Sequence, residues 1–201
     1  KTMFKMAVIP LSFMEDRCRV ASALGFKARL IVDGAEADTS VKNGMFDLIA
    51  EDDDKIVSYV DMPAFDVEND AKERMKVAVR YTSDTSDRYF GYTNLLSNYL
   101  GGTHVQALSK CLSDSWMAFL DKHKNLRPSV ELRPSDYLVG LRAVCAVFIS
   151  HPEFSSQTKE KLVVAKGYFS DLMDAFAKAF GKYLEANVLV AQQLVKRFES
   201  Y

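Results

Sequence analysis

The segment LRAVCAVFIS, residues 141–150, is an almost unbroken run of apolar residues with a single charge. A run of this length between polar flanks reads as a buried strand, so the rest of the chain must supply elements to cover it. Directly after it comes HPEFSSQTKEKL, residues 151–162, where Gln157, Thr158, Lys159 and Lys161 stand in place of the Gly or Asn that a plain turn favours. The covering material is available. The chain has 201 residues, 48% of them hydrophobic and 26% charged, which is long enough for one or two cores of a globular protein.

The pattern changes character about halfway along. The first half alternates short signals: a helix near Arg17–Leu24, a strand in ARLIVDG, a short helix in GMFDLIAE, and the strand RMKVAVRY followed by RYFGYTN across the polar turn TSDTSD. In the second half Val105, Leu108, Leu112, Trp116, Phe119 and Leu120 recur at spacings of three and four, which predicts a long amphipathic helix. A loop with Pro128 and Pro134 leads to the buried strand. A last helical tract runs from about Tyr168 to Phe198, with Phe169, Leu172, Met173, Phe176, Phe180 and Leu184 on one stripe and Asn187 as an N-cap that interrupts it. The opening KTMFKMAVIP reads as a short strand (Phe4, Met6, Val8) and as the cut end of something larger. The acidic run EDDDK (51–55) reads as a solvated turn, because it lacks the spacing of a hard-cation loop.

A net charge of −1 argues against a basic domain that wraps nucleic acid, although a local basic patch survives any average. Cys18, Cys111 and Cys145 are odd in number and widely spaced, which suits reduced thiols of a cytoplasmic protein better than a disulfide frame. No apolar stretch approaches the about 20 residues of a membrane span.

Three stretches can carry chemistry. In LGGTHVQAL, Gly101 and Gly102 permit a positive-φ entry and Thr103 can cap the long helix; the segment is then either a plain helix start or an anion-attracting end. His104 has no second ligand at metal spacing. Asn94, in YTN, either orients the backbone leading to Gly101 or satisfies a turn. In the polar loop, Lys159 offers a compact ammonium and Gln157 an amide able to donate to a phosphate oxygen, while Thr158 fixes the loop locally. The alternative is a solvated connection between strand and helix.

In combination, YTN, GGTH and LRAVCAVFISHPEFSSQTKEKL closely resemble the transducer, or second, domain of the ATPase subunit of type II DNA topoisomerases, the gyrase B and topoisomerase IV B family. The resemblance runs from about Phe13 to the C-terminus and is weak between residues 35 and 90. It divides the chain into 1–12, a remnant of a preceding ATP-binding domain, and 13–201, the transducer domain. It implies an α+β fold of the ribosomal protein S5 domain 2-like kind, a four-stranded sheet with a left-handed crossover backed by helices, plus a long C-terminal helix. General rules alone would give a right-handed crossover. Where bacterial relatives place an Arg in the helix after GGTH, this chain has Ser109, with Lys110 beside it as the candidate contact to a DNA cavity. Val188 replaces the Pro that commonly follows Asn187.

The same resemblance assigns Gln157 and Lys159 to the γ-phosphate of ATP, with Lys159 catalytic and Thr158, Gly101, Gly102 and Thr103 shaping the phosphate-side loops. The implied cofactors are ATP and Mg2+, held mostly by an ATP-binding domain for which this chain carries no residue set; VDGAEAD, with one Gly, is no match for that domain's glycine-rich element. The implied partners are DNA, the DNA-cleaving subunit or domain, and a second copy that closes a gate over DNA; no membrane is implied. Two other readings stay open, a stand-alone topoisomerase subunit or interaction module without catalysis, and a small-molecule kinase or hydrolase on the same general fold.

Overall fold

The computed structural model describes residues 9–49 and 58–201. At its centre β5 (Arg74–Thr82) and β8 (Leu141–Phe148) run antiparallel, from Arg74 opposite Phe148 to Tyr81 opposite Leu141. On the far side of β8, β6 (Arg88–Thr93) pairs in parallel, and β7 (Leu96–Asn98) pairs antiparallel beyond it. The other edge of β5 takes two short strands end to end. β3 (Ser58–Asp61) lies opposite Arg80–Thr82, and β4 (Phe65–Glu68) lies opposite Arg74–Val77. The sheet therefore has six strands, in the order β3-β5-β8-β6-β7 with β4 also on β5, where four were expected. The extra strands are three or four residues long and mixed in polarity, so pairing with longer partners, not a periodic pattern, makes them strands. The strands on either side of TSDTSD do not pair with each other; β8 lies between them.

The buried strand is where the sequence places it, and the layers explain its composition. Leu141, Ala143, Cys145 and Val147 of β8 join Met75, Val77, Val79 and Tyr81 of β5 in the larger core, whereas Val144 and Ala146 join Ala78 in a smaller core on the opposite face. With both faces covered, the strand has no solvent side and so shows no alternation.

The larger core is closed by three helices. α2 (Thr103–Lys122) buries Leu108, Leu112, Trp116, Phe119 and Leu120, the stripe its periodicity predicts. Burying each Leu on that stripe contributes about 1.5–3 kcal/mol relative to exposure. The Trp116 indole N–H donates to the Tyr81 hydroxyl (2.9 Å), which donates to the Tyr137 carbonyl (2.9 Å), so the polar atoms in the middle of this core are paired. α3 (Ser170–Ala186) buries Leu172, Met173, Phe176, Phe180 and Leu184, and α4 (Val188–Phe198) buries Ala191, Leu194, Val195 and Phe198. The long C-terminal helix expected from the sequence is thus two helices. Asn187 interrupts the tract, with φ −125° and ψ 52°, yet it is not a side-chain N-cap: its amide donates back to the Tyr183 carbonyl at 2.8 Å.

The smaller core is covered by α1 (Leu11–Ala23), which begins earlier than the Arg17 expected, and by a 3-10 turn at Gly44–Leu48. ARLIVDG is not one strand running on. It turns at Asp33 (φ 50°) and Gly34 (φ 82°) and returns, giving a hairpin of β1 (Leu30–Val32) and β2 (Ala35–Ala37). Two consecutive positive φ angles mark a type I′ turn, for which Asp-Gly is a preferred pair. The expectations for Phe4–Val8 and Glu51–Lys55 lie outside the described residues. Among the described residues no helix is long and apolar enough to cross a membrane.

Candidate functional site

The polar loop starts from a fixed root. β8 ends at Phe148, and the side chain of Asn94 takes both polar groups of the next residue: its amide donates to the Ile149 carbonyl (2.8 Å) and its oxygen accepts from the Ile149 amide (3.0 Å). Asn94 has φ 47°, a conformation that Asn tolerates better than most residues. It satisfies the turn at the end of β6 by tying it to the root of the loop, and it does not reach Gly101.

Beyond that root the chain folds back on itself as a narrow hairpin. The Val163 amide donates to the Glu153 carbonyl (2.8 Å), the Ser155 amide donates to the Lys161 carbonyl (3.1 Å), and Phe154 stands opposite Leu162. At the tip the Lys159 amide donates to the Ser156 carbonyl (3.1 Å), which places Gln157 and Thr158 at the two central positions of the turn. The Ser156 and Thr158 hydroxyls lie 2.6 Å apart and cross-link the tip. Gln157, Thr158 and Lys159 are all exposed, and the Lys159 ammonium stands 5.9 Å from the centre of the Phe154 ring. Lys159 itself sits at φ 58°, in the left-handed region.

The GGT segment is fastened along one side of this hairpin. The Leu100 amide donates to the Glu160 carbonyl (3.1 Å), the Leu162 amide to the Gly101 carbonyl (3.3 Å), and the Thr103 amide to the Leu162 carbonyl (3.0 Å). The Asn98 side-chain amide adds a bond to the Lys159 carbonyl at 2.8 Å. Gly101 (φ 71°) and Gly102 (φ 151°) supply the positive φ angles expected of them. Thr103 does not act as expected. The N-cap position is Gly102, and the Thr103 hydroxyl instead accepts from the Val164 amide at 3.3 Å. At the helix start the Thr103 amide is bonded to the Leu162 carbonyl, so that one amide is turned to the hairpin. Sequence patterns single out the two loops separately; that one is laced to the other is a tertiary fact.

Electrostatics distinguish the remaining candidates. His104 is fully buried against Gly91 and Phe169, neither ring nitrogen has a hydrogen-bond partner, and burial pulls its pKa down to about 4. It is a neutral core residue. Lys110 is exposed on α2 and paired with Asp114 one turn on, which offsets its charge. It borders a groove of about 950 Å³ between α2 and α3 whose walls include Cys111, Phe119 and Met173, and burial raises the Cys111 thiol to about 11. Ser109, in place of an Arg, accepts from the Tyr89 hydroxyl at 3.0 Å. Among the described residues no three His, Cys, Asp or Glu side chains are grouped to hold a metal ion.

The helix-backed sheet that presents this hairpin has the fold of ATPase regions of type II topoisomerases. The crystal structure of the 43K ATPase domain of Thermus thermophilus gyrase B in complex with an aminocoumarin superposes with a TM-score of 0.79 at 19% identity, covering 98% of this chain and 54% of that one. The DNA gyrase B protein of Eisenibacter elegans is 30% identical over 124 residues, 61% of this chain and 26% of that protein. The DNA topoisomerase 4 B protein of Rickettsia bellii is 31% identical over 116 residues, 58% of this chain and 17% of that protein. Residues 42–200 match the DNA gyrase B family, and the chain belongs to it. It spans about a quarter or less of the length of these curated relatives. The expected α+β, S5 domain 2-like class is the fold observed.

Proposed function

We propose that residues 13–201 are the transducer domain of a type II topoisomerase ATPase subunit, and that the hairpin tip reaches the γ-phosphate of ATP held by a neighbouring domain. The observation that carries this reading is the construction of the tip. Gln157 and Lys159 are exposed, yet the backbone beneath them is held by Asn98, by the Lys159–Ser156 turn and by the GGT segment. A solvated connection needs no such support, whereas a group that must meet a phosphate gains from being held in place before the encounter. Lys159 donates charge-assisted hydrogen bonds to phosphate oxygens and Gln157 donates through its amide. As the phosphate leaves, those contacts are lost, and the hairpin can move with β8 and the helices packed on it. Bound ATP and its Mg2+ supply the transferable phosphoryl group; in this reading the residues that hold them lie outside this chain. The partners of the whole subunit would be DNA, the DNA-cleaving subunit and a second copy, and this chain alone would neither hydrolyse ATP nor bind it tightly.

The test is Lys159→Ala in the ATPase subunit carrying this chain, with Lys161→Ala as the control two residues on. Loss of a charge-assisted contact made with ATP and strengthened as charge develops during transfer should cost on the order of 2–4 kcal/mol in barrier, about one and a half to three decades in turnover. Lys161→Ala should be mild. Unchanged ATP turnover in Lys159→Ala would reduce the hairpin to a solvated connection.

A further inference from the structure

Lys159 holds a backbone conformation that its residue type disfavours. At φ 58° a Gly or an Asn would cost less, and a turn with no other duty is free to use one. A lysine in that place gives its side chain a purpose and requires that neighbouring groups hold the backbone against the strain. Both polar groups of that backbone are engaged: the amide donates to the Ser156 carbonyl at 3.1 Å, and the carbonyl accepts from the Asn98 side-chain amide at 2.8 Å.

The second of these bonds starts in the interior. Asn98 is 1% exposed and Thr93 is fully buried. In the β6–β7 ladder Thr93 stands opposite Leu96 and Asn98 opposite Gly91, which makes Thr93 and Asn98 diagonal neighbours on one face. The Thr93 hydroxyl donates to the Asn98 Oδ1 at 2.6 Å. A side-chain amide carries an acceptor at one end and two donors at the other, so a hydroxyl on its oxygen leaves the NH2 end to face the Lys159 carbonyl. Thr93, Asn98 and Lys159 thus form one relay of hydrogen bonds from the buried edge of the sheet to the exposed tip.

We infer that Thr93 and Asn98 are positioning residues for Lys159, which keep its main chain in the left-handed conformation and thereby set the direction in which its side chain leaves the tip. The inference rests on the function proposed above and adds the buried pair through which that function is aimed. Neither residue touches a phosphate; both act through the Lys159 backbone. The lysine stem is flexible, so the reach of its ammonium is set by where the Cα–Cβ bond points. A relaxation of φ to negative values turns that bond away, and the ammonium then has to be brought back at each encounter. Thr93 lies on β6 rather than on the tip, yet without its hydroxyl the Asn98 oxygen is left buried with no donor and the amide loses its fixed sense.

The test uses the ATPase subunit carrying this chain, with Thr93→Val and Asn98→Leu, which keep the shape and remove the polar contacts. Each is also combined with Lys159→Ala, and Thr93→Ser, which keeps the hydroxyl, serves as the conservative variant. Two readouts are taken: kcat and KM for ATP, and hydrogen exchange of the amide at position 159. Thr93→Val and Asn98→Leu should each lower kcat by about tenfold with a smaller change in KM, and speed the exchange by about as much. Thr93→Ser should restore both. Because the pair acts through Lys159, neither variant should lower kcat further in the Lys159→Ala background, whereas general damage to the fold would. Unaltered kcat and exchange in Thr93→Val and Asn98→Leu would overturn the inference, and so would an equal loss of kcat with and without Lys159→Ala. A Lys159→Ala subunit that turns over normally would instead remove the phosphate contact; faster exchange in Thr93→Val would then still uphold the relay's hold on the backbone, and unaltered exchange would overturn it.

Discussion

A Cβ built on Gly102 would stand 2.5 Å from the Leu162 carbonyl oxygen and 2.8 Å from its amide nitrogen, so the two loops of the site meet backbone to backbone. No flexible side chain lies between them to give way. Gly102 also has φ 151°, in a region that L residues with a side chain rarely enter.

Gly102→Ala should therefore cost on the order of 3 kcal/mol, through strain and through separation of the loops. In a chain of this size that lowers the melting midpoint by about 6–12 °C. Gly101→Ala is the comparison. Its φ of 71° is also left-handed, but nothing lies within 4 Å of the added carbon, so only the conformational cost of about 1–2 kcal/mol applies. Thermal melts followed by the emission of Trp116, the chain's single Trp, check both. Equal losses would show that the approach to Leu162 is not the constraint.

The contrast between these glycines marks how far the sequence can be read. GGT announces positive φ at both positions, but nothing in it says that one Gly faces open space and the other a carbonyl from sixty residues away. Long-period signals are legible: the stripe Leu108, Leu112, Trp116, Phe119, Leu120 and the run in β8 are buried because many residues agree on one pattern. The Asp33–Gly34 hairpin is legible in principle from its turn dipeptide, although ARLIVDG reads first as one strand. β3, β4 and β7 carry no such signal, being strands only because β5 and β6 offer open edges. Thr103 fails as a cap for a related reason. A local rule offers its hydroxyl to the helix, and a tertiary neighbour, the Val164 amide, takes it. The parallel pairing of β6 with β8 is likewise a property of two distant segments and of neither alone.

His104 gives the chain a pH dependence with a definite sign. Burial holds its folded pKa at about 4, below the unfolded value of about 6.5, so the unfolded chain binds the proton more readily. The stability tied to the neutral ring is complete above about pH 6.5 and is lost as pH falls toward 4. The shift corresponds to at most about 3 kcal/mol. His104→Leu should flatten the denaturation midpoint across that window and cost little at pH 7.5, since it removes two unpaired nitrogens along with the ring. A pH profile identical to that of the unmodified chain would assign the dependence to other groups.

Arg142 is the single charge in the buried strand, with its side chain only 3% exposed, and it is balanced by the Asp84 carboxylate at 2.5 Å. The guanidinium also donates to the Ser86 carbonyl at 2.7 Å, and the Asp84 carbonyl accepts from Arg197 of α4 at 2.7 Å. Bonds from the Ser86 hydroxyl, Arg142 and the Thr85 amide hold the Asp84 carboxyl well below the usual carboxylate range. Removing one partner of such a pair is worse than removing the buried charge itself, because the survivor is left uncompensated. Asp84→Ala should thus destabilise by on the order of 3 kcal/mol. Arg142→Met should cost clearly less, since the carboxylate it leaves behind is 30% exposed and can be hydrated. Urea denaturation of the two variants orders them directly. A larger loss in Arg142→Met would mean that the arginine's bond to the Ser86 carbonyl, and not its charge balance, holds the start of β8 against the Asp84–Ser86 turn.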